Sequence, residues 1–197
     1  MLGGCSSHNG MVFVRGNPLD FERWASYDLP KWSYKNVLPY FKKLESWSGG
    51  ENLYRGGSGP LKVNRSKIDN AFPLAKSLIK AAAEAGYDTF EDSNGFKQDG
   101  FGTFDVTIDN GKRQGVSRAY LNEIKGYKNL TIEHNTDVSK IIFKEKKAIG
   151  VEIKRNNQSE IYYCNKEVIL SSGSINSPKI LQLSGIGDEK VLNQNGI

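Results

Sequence analysis

The pattern that most constrains the fold is a series of strand-like segments that begins near Leu130. Residues 138–143, 149–153 and 161–163 are rich in apolar and β-branched side chains, and polar turns separate them. Three such segments in succession predict an antiparallel meander. Residues 130–132 have the same composition and are predicted as a further strand.

A different pattern follows the meander. Apolar residues 168–170 predict a short strand that leads into Ser171-Ser172-Gly173-Ser174. Ser177 as the cap and Pro178 at the first helical position then predict a helix, which Gly185 ends. Strand, glycine turn and helix start form the general geometry that holds a dinucleotide phosphate. Without a G-x-G-x-x-G turn, the segment also fits ordinary α/β packing.

The first part of the chain is rich in aromatic residues and glycine. The aromatic side chains of residues 17–48 are predicted to pack together. Val37, Phe41 and Leu44 share helical spacing, Ser33 is placed to cap that helix, and Pro39 would bend it or delay its start. Residues 49–60 are predicted as a loop, either an ordinary connection or a hinge.

Residues 69–86 predict a helix that ends at Gly86. Its apolar face consists of Leu74, Leu78, Ile79 and Ala82. Residues 88–115 are predicted to be loop-rich because glycine recurs there, and residues 117–124 are predicted as a short helix.

Composition excludes several classes of function. The net charge of +5 is spread along the chain, and its densest cluster, residues 144–147, reads as a solvated turn, so no nucleic-acid partner is expected. Two cysteines, Cys5 and Cys164, form no disulfide framework and no metal pattern. No metal site is therefore predicted. No apolar run reaches the roughly 20 residues of a membrane span.

Residues 3–11 carry the densest group of small residues, Gly-Gly-Cys-Ser-Ser-His-Asn-Gly-Met, and one of the two histidines. We call these residues the opening run. Glycine pairs let a backbone approach a bulky ligand closely, and small residues in tight turns can aim N–H groups at a phosphate. A plain glycine–serine loop is the alternative interpretation.

Two separated segments together resemble a known family. Residues 173–187 are similar to the second signature of the glucose–methanol–choline (GMC) flavoprotein oxidoreductases. Residues 2–9, followed by Phe13, Gly16 and Glu22, resemble the first signature. Within the family, the chain is most similar to choline dehydrogenase-like alcohol dehydrogenases.

The resemblance implies an α/β (α+β) fold, in which part of a Rossmann-type FAD-binding domain is interleaved with part of an antiparallel-sheet substrate domain. Residues 1–65 and 130–197 would belong to the FAD-binding domain, and residues 66–129 to the substrate domain and its loops. Family members also have a G-x-G-x-x-G turn and a catalytic histidine that this sequence lacks. The chain is therefore expected to be an internal fragment, with no catalytic residue of its own and no turnover or firm FAD binding in isolation.

The implied reaction is oxidation of a primary, choline-like alcohol to an aldehyde by hydride transfer to FAD. A small alcohol is the expected substrate, and the electron acceptor is left open among oxygen, a quinone and another carrier. The oligomeric state is also open, and a cytoplasmic or membrane-associated location is expected. The alternatives are a non-redox FAD-binding protein, similar to hydroxynitrile lyases of this fold, and an inactive fragment.

The resemblance also implies which residues contact FAD. These are Gly3, Gly4, Cys5, Ser6, His8, Asn9, Gly10, Met11, Val12, Val138, Ser172 and Gly173. Residues 9–12 would lie beside the flavin ring, and the backbone of Val138 would pair with adenine, although an ordinary strand valine is the alternative. The sequence around His8 resembles choline oxidases, whose matching histidine is bonded to the flavin. A covalent link through His8 is therefore one hypothesis, and a histidine that only packs against the cofactor is the other.

Overall fold

A computed structural model describes residues 1–66, 73–156 and 158–197. The chain divides into two compact units, Met1–Leu130 and Thr131–Ile197. This division lies where the sequence changes from glycine- and aromatic-rich to strand-like. The model contains both helices and strands, which confirms the predicted fold class.

The described residues of the first unit form the α-helices α1 (Pro18–Ala25), α2 (Tyr34–Leu44), α3 (Pro73–Glu84) and α4 (Asn122–Ile124). Asn17 caps α1, since its side chain accepts from the Leu19 N–H while Asp20 reaches back to the Asn17 N–H. Ser33 occupies the cap position of α2 without a side-chain hydrogen bond, and Pro39 lies inside that helix.

The predicted helix at residues 69–86 is present as α3 within the described residues, and its first positions, 69–72, lie outside them. Gly86 follows the helix with a φ of 84°, as its predicted role requires. Ala82 is buried, but Leu74 and Leu78 are 65% and 56% exposed. The predicted apolar face is therefore not packed along its length.

The same described part of the unit contains the short strands β1 (Val12–Phe13), β2 (Glu45–Trp47), β3 (Leu61–Val63), β4 (Asp105–Val106), β5 (Ile108–Asp109) and β6 (Lys112–Arg113). They form an antiparallel β1–β4 pair, a parallel β2–β3 pair and a β5–β6 hairpin. A small apolar core is formed by Trp47 of β2, Leu61 and Val63 of β3, and Ala119.

Two predictions about irregular segments have different outcomes. Residues 49–60 are a loop, as predicted, and its Gly56 is so close to α2 that a Cβ there would lie 1.8 Å from the Lys42 carbonyl oxygen. Residues 88–115 are less irregular than predicted because they contain β4, β5 and β6. The predicted helix at residues 117–124 is present as a π-helical turn, Ser117–Leu121, that continues into α4.

The aromatic residues near α1 and α2 pack around Phe21, which is buried. Phe21 makes edge contacts with Trp24 and Phe41, at ring-centroid distances of 5.3 and 5.6 Å. This confirms the packing prediction for those rings. Tyr27 and Tyr40 are about 70% exposed and lie outside that cluster.

The second unit is an antiparallel meander of β7 (Asp137–Lys144), β8 (Lys147–Arg155) and β9 (Gln158–Tyr163), as predicted. Helix α5 (Gly173–Leu183) packs on β7, and α6 (Glu189–Gln194) follows it. The buried side chains of this unit are aliphatic: Ile141, Ile153, Ile180 and Leu192.

Two of the strand predictions are wrong. Residues 130–132 and 168–170 have no strand conformation, and no strand in the described part of the chain pairs with them. A strand depends on a hydrogen-bonded neighbour, so apolar composition alone cannot form one. Ile169 is accordingly 78% exposed.

The predicted start of α5 is also wrong. The helix begins at Gly173, so that Pro178 lies inside it and Ser177 does not cap it. Instead, the Ser177 hydroxyl accepts from the Ser172 N–H at 3.0 Å, which ties the preceding turn to the helix. Gly185 ends this region with a φ of 83°, as predicted.

Candidate functional site

The opening run forms a tight turn on the surface of the first unit. Gly3 and Gly4 have φ angles of 87° and 51°, and a 3-10 turn covers Gly4–Ser7. The backbone angle of Gly3 favours glycine, and a Cβ there would lie 2.5 Å from the Ser7 hydroxyl oxygen, which would have to move. The N–H groups of His8 and Asn9 both donate to the Cys5 carbonyl, at 3.1 and 2.9 Å, and close the turn.

The predicted cofactor residues of this run are accessible to different degrees. Gly4, Cys5, His8, Gly10 and Val12 are exposed. The remaining members, Gly3, Ser6, Asn9 and Met11, are half-buried. The turn therefore presents the His8 imidazole and glycine backbone outward, which is the arrangement a ligand lying on the turn would need.

Met11 has a left-handed backbone, with a φ of 63°. Its N–H donates to the Asn9 side-chain oxygen at 3.1 Å, and its carbonyl accepts from the Thr107 N–H at 2.8 Å. Such a conformation costs a non-glycine residue about 1–3 kcal/mol, and it persists where surrounding contacts impose it. The predicted site thus contains a locally strained position between two anchoring contacts.

The segment after the run is anchored by Asn94. Its side chain accepts from the Arg15 N–H at 2.7 Å and donates to the Phe13 carbonyl at 3.0 Å. Asn94 is fully buried. Its role has no signal in the sequence because the partners lie about 80 positions away.

A buried ionic cluster lies behind this segment. Glu45 contacts both Arg15, at 2.5 Å, and Arg55, at 3.0 Å. Arg55 also contacts Asp92 and Asp105, at 2.6 and 2.7 Å. Burial raises the pKa of Asp105 above its ordinary range, although its contact with Arg55 opposes the shift. Burial also lowers the pKa of Arg15. We call these five residues the ionic cluster, and sequence reasoning did not find it.

An open cavity of about 560 Å³ lies beside the opening run. It is lined by Leu2, Ser7, Lys112, Arg113, Gly115, Ser117, Arg118 and Asn122. Three cationic side chains and no carboxylate face it, which suits an anionic group. The Asn110-Gly111 pair, a strong signal for a two-residue hairpin, could have located Arg113 from the sequence.

The predicted residues of the second unit lie at another cavity, of about 540 Å³. Its lining consists of Thr136, Asp137, Val138, Ser139, Lys154, Ser172, Asn176, Lys179, Ile180 and Leu183. Val138 and Ser172, which are far apart in sequence, are thus brought together. Gly173 begins α5 next to Ser172 with a φ of 85°.

An irregularity in β7 lies at this cavity. The pairing of β7 with β8 shifts between Val138 and Lys140, so Ser139 has no direct partner in the ladder. Bulges of this kind occur often next to binding sites because they redirect side chains and free backbone groups. The lining contains two lysines, Lys154 and Lys179, and one carboxylate, Asp137, so its net charge is positive. Its apolar members are Val138, Ile180 and Leu183.

The other histidine, His134, is exposed in a loop of the second unit. Both cysteines are free thiols. Within the described ranges, no three His, Cys, Asp or Glu side chains are grouped so as to hold a metal ion. Among the helices of the described residues, none combines the length and apolar content that a membrane crossing requires.

Comparison with known proteins identifies relatives over the whole chain. The family model for GMC oxidoreductases matches residues 1–195. The oxygen-dependent choline dehydrogenase of Photobacterium profundum is 45% identical over 197 residues, which cover 100% of this chain and 35% of that protein. The human mitochondrial choline dehydrogenase is 46% identical over 195 residues, which cover 99% of this chain and 32% of that protein.

Solved structures also resemble this chain over nearly its whole length. Pyridoxine 4-oxidase from Mesorbium loti has a TM-score of 0.91 at 28% identity, over 98% of this chain and 38% of that one. An FAD-dependent oxidoreductase from Chaetomium thermophilum has a TM-score of 0.89 at 34% identity, over 98% of this chain and 36% of that one. The chain thus spans about a third of the length of the curated relatives it matches.

Proposed function

The chain belongs to the GMC oxidoreductase family, and we propose that the whole protein is an FAD-dependent enzyme that oxidises a primary, choline-like alcohol to an aldehyde. The observation that carries this proposal is similarity along the entire chain to proteins named choline dehydrogenases. A small alcohol is the proposed substrate, and oxygen, a quinone or another carrier is the proposed acceptor.

The residues of the two cavities fit such a cofactor in size and charge. A cavity of about 540 Å³ whose lining combines two lysines with apolar side chains can accommodate one part of a nucleotide, and we assign Val138, Ser172 and Gly173 to it. Lys112 and Arg118 beside the opening run offer positive charge to a second anionic part.

The opening run would hold the reactive end of the cofactor. We assign to it Gly3, Gly4, Cys5, Ser6, His8, Asn9, Gly10, Met11 and Val12. FAD supplies a site that accepts hydride from the alcohol carbon. The role of this chain is to bring glycine backbone close to that site and to place N–H dipoles and nearby cations where negative charge develops.

We propose in addition that His8 is bonded to the flavin. His8 is an exposed residue directly after the 3-10 turn, so a flavin methyl group lying on the turn can reach it. The link replaces one imidazole N–H and one methyl C–H bond by an N–C bond, and the two hydrogens and two electrons pass finally to the electron acceptor. Acid precipitation of the full-length protein tests the link. Yellow colour retained in the pellet is expected, and flavin released entirely into the supernatant would exclude the bond.

The function is tested by adding choline to the full-length protein without oxygen and following flavin absorbance. Bleaching is expected with choline and not with tetramethylammonium, which also carries a quaternary ammonium group but has no hydroxyl group. Bound flavin that choline and other primary alcohols leave unbleached would favour the alternative, a non-redox protein similar to hydroxynitrile lyases. We expect the 197-residue chain alone to be inactive, because it lacks the G-x-G-x-x-G turn and the catalytic histidine of the family. Its two histidines are His8, which we assign to the cofactor, and the exposed loop residue His134.

A further inference from the structure

The opening run is held by a segment about 100 positions away in the sequence. Within residues 105–117, Thr107 donates to the Met11 carbonyl, and the Val116 N–H donates to the Ser6 hydroxyl at 3.0 Å. Gly115 lies so close that a Cβ there would be 3.2 Å from the carbonyl oxygen of Ser6. This close approach aligns the 105–117 segment with the turn.

Arg113 makes the most concentrated of these contacts. Its Nη1 donates to the Asn9 carbonyl at 2.7 Å, to the Asn9 side-chain oxygen at 2.8 Å and to the Ser6 carbonyl at 3.2 Å. In the described part of the chain, no carboxylate lies within ion-pair distance of Arg113. Its charge is therefore directed at the oxygens of the run, and charge-assisted hydrogen bonds are the stronger class.

The position of Arg113 is set by the β5–β6 hairpin. Arg113 pairs with Ile108, and Asn110 and Gly111 form the connecting turn with φ angles of 49° and 72°. Two residues with positive φ are what a tight hairpin of this twist requires. The guanidinium therefore extends from a rigid two-strand support.

The Arg113 contacts lie on both sides of His8, the residue on which the proposed flavin link depends. Ser6 and Asn9 flank Ser7 and His8, and one nitrogen of Arg113 binds the residues on both sides. The Asn9 side-chain oxygen also accepts from Met11, so the same side chain links the turn to the strained residue that follows it. Resting on the proposed function, we infer that Arg113 is a positioning residue, which fixes the turn so that His8 and the adjacent backbone face the flavin.

The test compares Arg113→Met and Arg113→Lys in the full-length protein with Arg23→Met, which removes an exposed arginine from α1 in the same unit. The first readout is backbone hydrogen exchange of residues 4–11. Arg113→Met should speed hydrogen exchange at the His8 and Asn9 amides by about tenfold or more. Without the Arg113 hydrogen bonds to Ser6 and Asn9, the turn opens, and these two amides lose their bonds to the Cys5 carbonyl. Arg113→Lys should restore most of the protection, and Arg23→Met should leave it unchanged.

The second readout is the flavin that each purified variant retains, together with its visible absorption spectrum. The purified Arg113→Met variant should retain several-fold less flavin than Arg113→Lys. Hydrogen exchange of the β2 and β3 amides should stay at the parent rate in both variants. Unchanged exchange at residues 4–11 would overturn the inference, and so would faster exchange with normal flavin content and spectrum.

A parent protein that holds no flavin at all would contradict the proposed function, and the positioning role would fall with it. Altered exchange would then still show that Arg113 orders the turn, so the two failures are distinguishable. If Arg113→Met does not fold, Asn9→Ala removes one acceptor of Arg113 from the opposite side, and its readout is hydrogen exchange of residues 4–8 against Arg23→Met.

Discussion

The first unit buries a cluster of charged side chains as well as a small apolar core, whereas the buried side chains described in the second unit are aliphatic. Arg55 and Glu45 are fully buried in the first, and Ile153 and Ile180 are about 95% buried in the second. Charged groups are stable in an interior only when each one is paired and hydrogen-bonded. The first unit therefore depends on specific partners, while the second depends on shape and apolar area.

The same contrast applies to the two candidate cofactor regions. The opening run is held by Arg113, Thr107 and Val116, all about 100 positions away. The cavity of the second unit lies between β7 and α5, elements joined by one meander. One region is assembled by long-range polar contacts, and the other by elements that follow one another along the chain.

Removing the central charge of the ionic cluster should have the largest effect. We expect Glu45→Gln to lower the free energy of unfolding by about 3–5 kcal/mol, since Arg15 and Arg55 lose their shared carboxylate. Urea denaturation followed by tryptophan fluorescence measures it, because all three tryptophans lie in the first unit. Glu51→Gln, which breaks an exposed pair with Lys42, should cost about 1 kcal/mol or less. Equal losses in the two variants would contradict the dependence of the first unit on its buried ionic cluster.

Truncating the aliphatic core should have the next largest effect. Ile180→Ala should destabilise the second unit by about 2–4 kcal/mol through lost burial and the cavity left behind. Ile175→Ala on the same helix, at a position 81% exposed, should change stability by about 0.5 kcal/mol or less. Hydrogen exchange of β7 and β8 reports this unit. A small loss for Ile180→Ala would mean that apolar packing does not stabilise it.

One polar contact in the second unit sharpens the comparison. The Ser184 hydroxyl accepts from the Ile141 N–H at 2.8 Å and donates to the Ile180 carbonyl at 2.5 Å. Ser184→Ala should cost about 1–2 kcal/mol because the Ile141 N–H loses its acceptor. Hydrogen exchange of the Ile141 amide should be faster in this variant than in the parent. The control Ser174→Ala, at an exposed position, should leave that rate unchanged. An unchanged rate would show that water replaces the hydroxyl without cost.

The smallest effect concerns pH. Because burial raises the pKa of Asp105, the folded protein binds this proton more tightly than the unfolded chain does. The contribution to stability is then full below the ordinary aspartate pKa and is lost as pH rises through the raised value. Relative to Asp105→Asn, the parent should therefore gain stability as pH falls from neutral through that window.

Urea denaturation at several pH values measures this difference. Asp99→Asn, at an exposed position, is the matched control and should leave the pH profile of the parent in place. A parent that loses stability relative to Asp105→Asn on acidification would reverse the sign and show that pairing with Arg55 outweighs burial.

The sequence predicted those elements whose signal lies within the element. The meander was correct because apolar and β-branched residues recur in three short segments separated by polar turns, and these segments form β7, β8 and β9. The helix end at Gly86 and the turn at Gly185 were also correct, since positive φ favours glycine. The strands at residues 130–132 and 168–170 were wrong because pairing depends on a neighbour that composition does not reveal.

Residue types in order were therefore enough to predict a mixed fold, a meander and a glycine turn at residues 3–11. The ionic cluster, the Asn94 anchor and the Arg113 contacts came only from the tertiary structure. Each joins side chains 10 to about 100 positions apart, and a charged residue in a loop has the same local pattern whether it is solvated or buried. Whether the opening run is a loose glycine loop or a fixed turn depends on those distant partners, because a short turn cannot hold positive φ angles and an exposed histidine in place by itself.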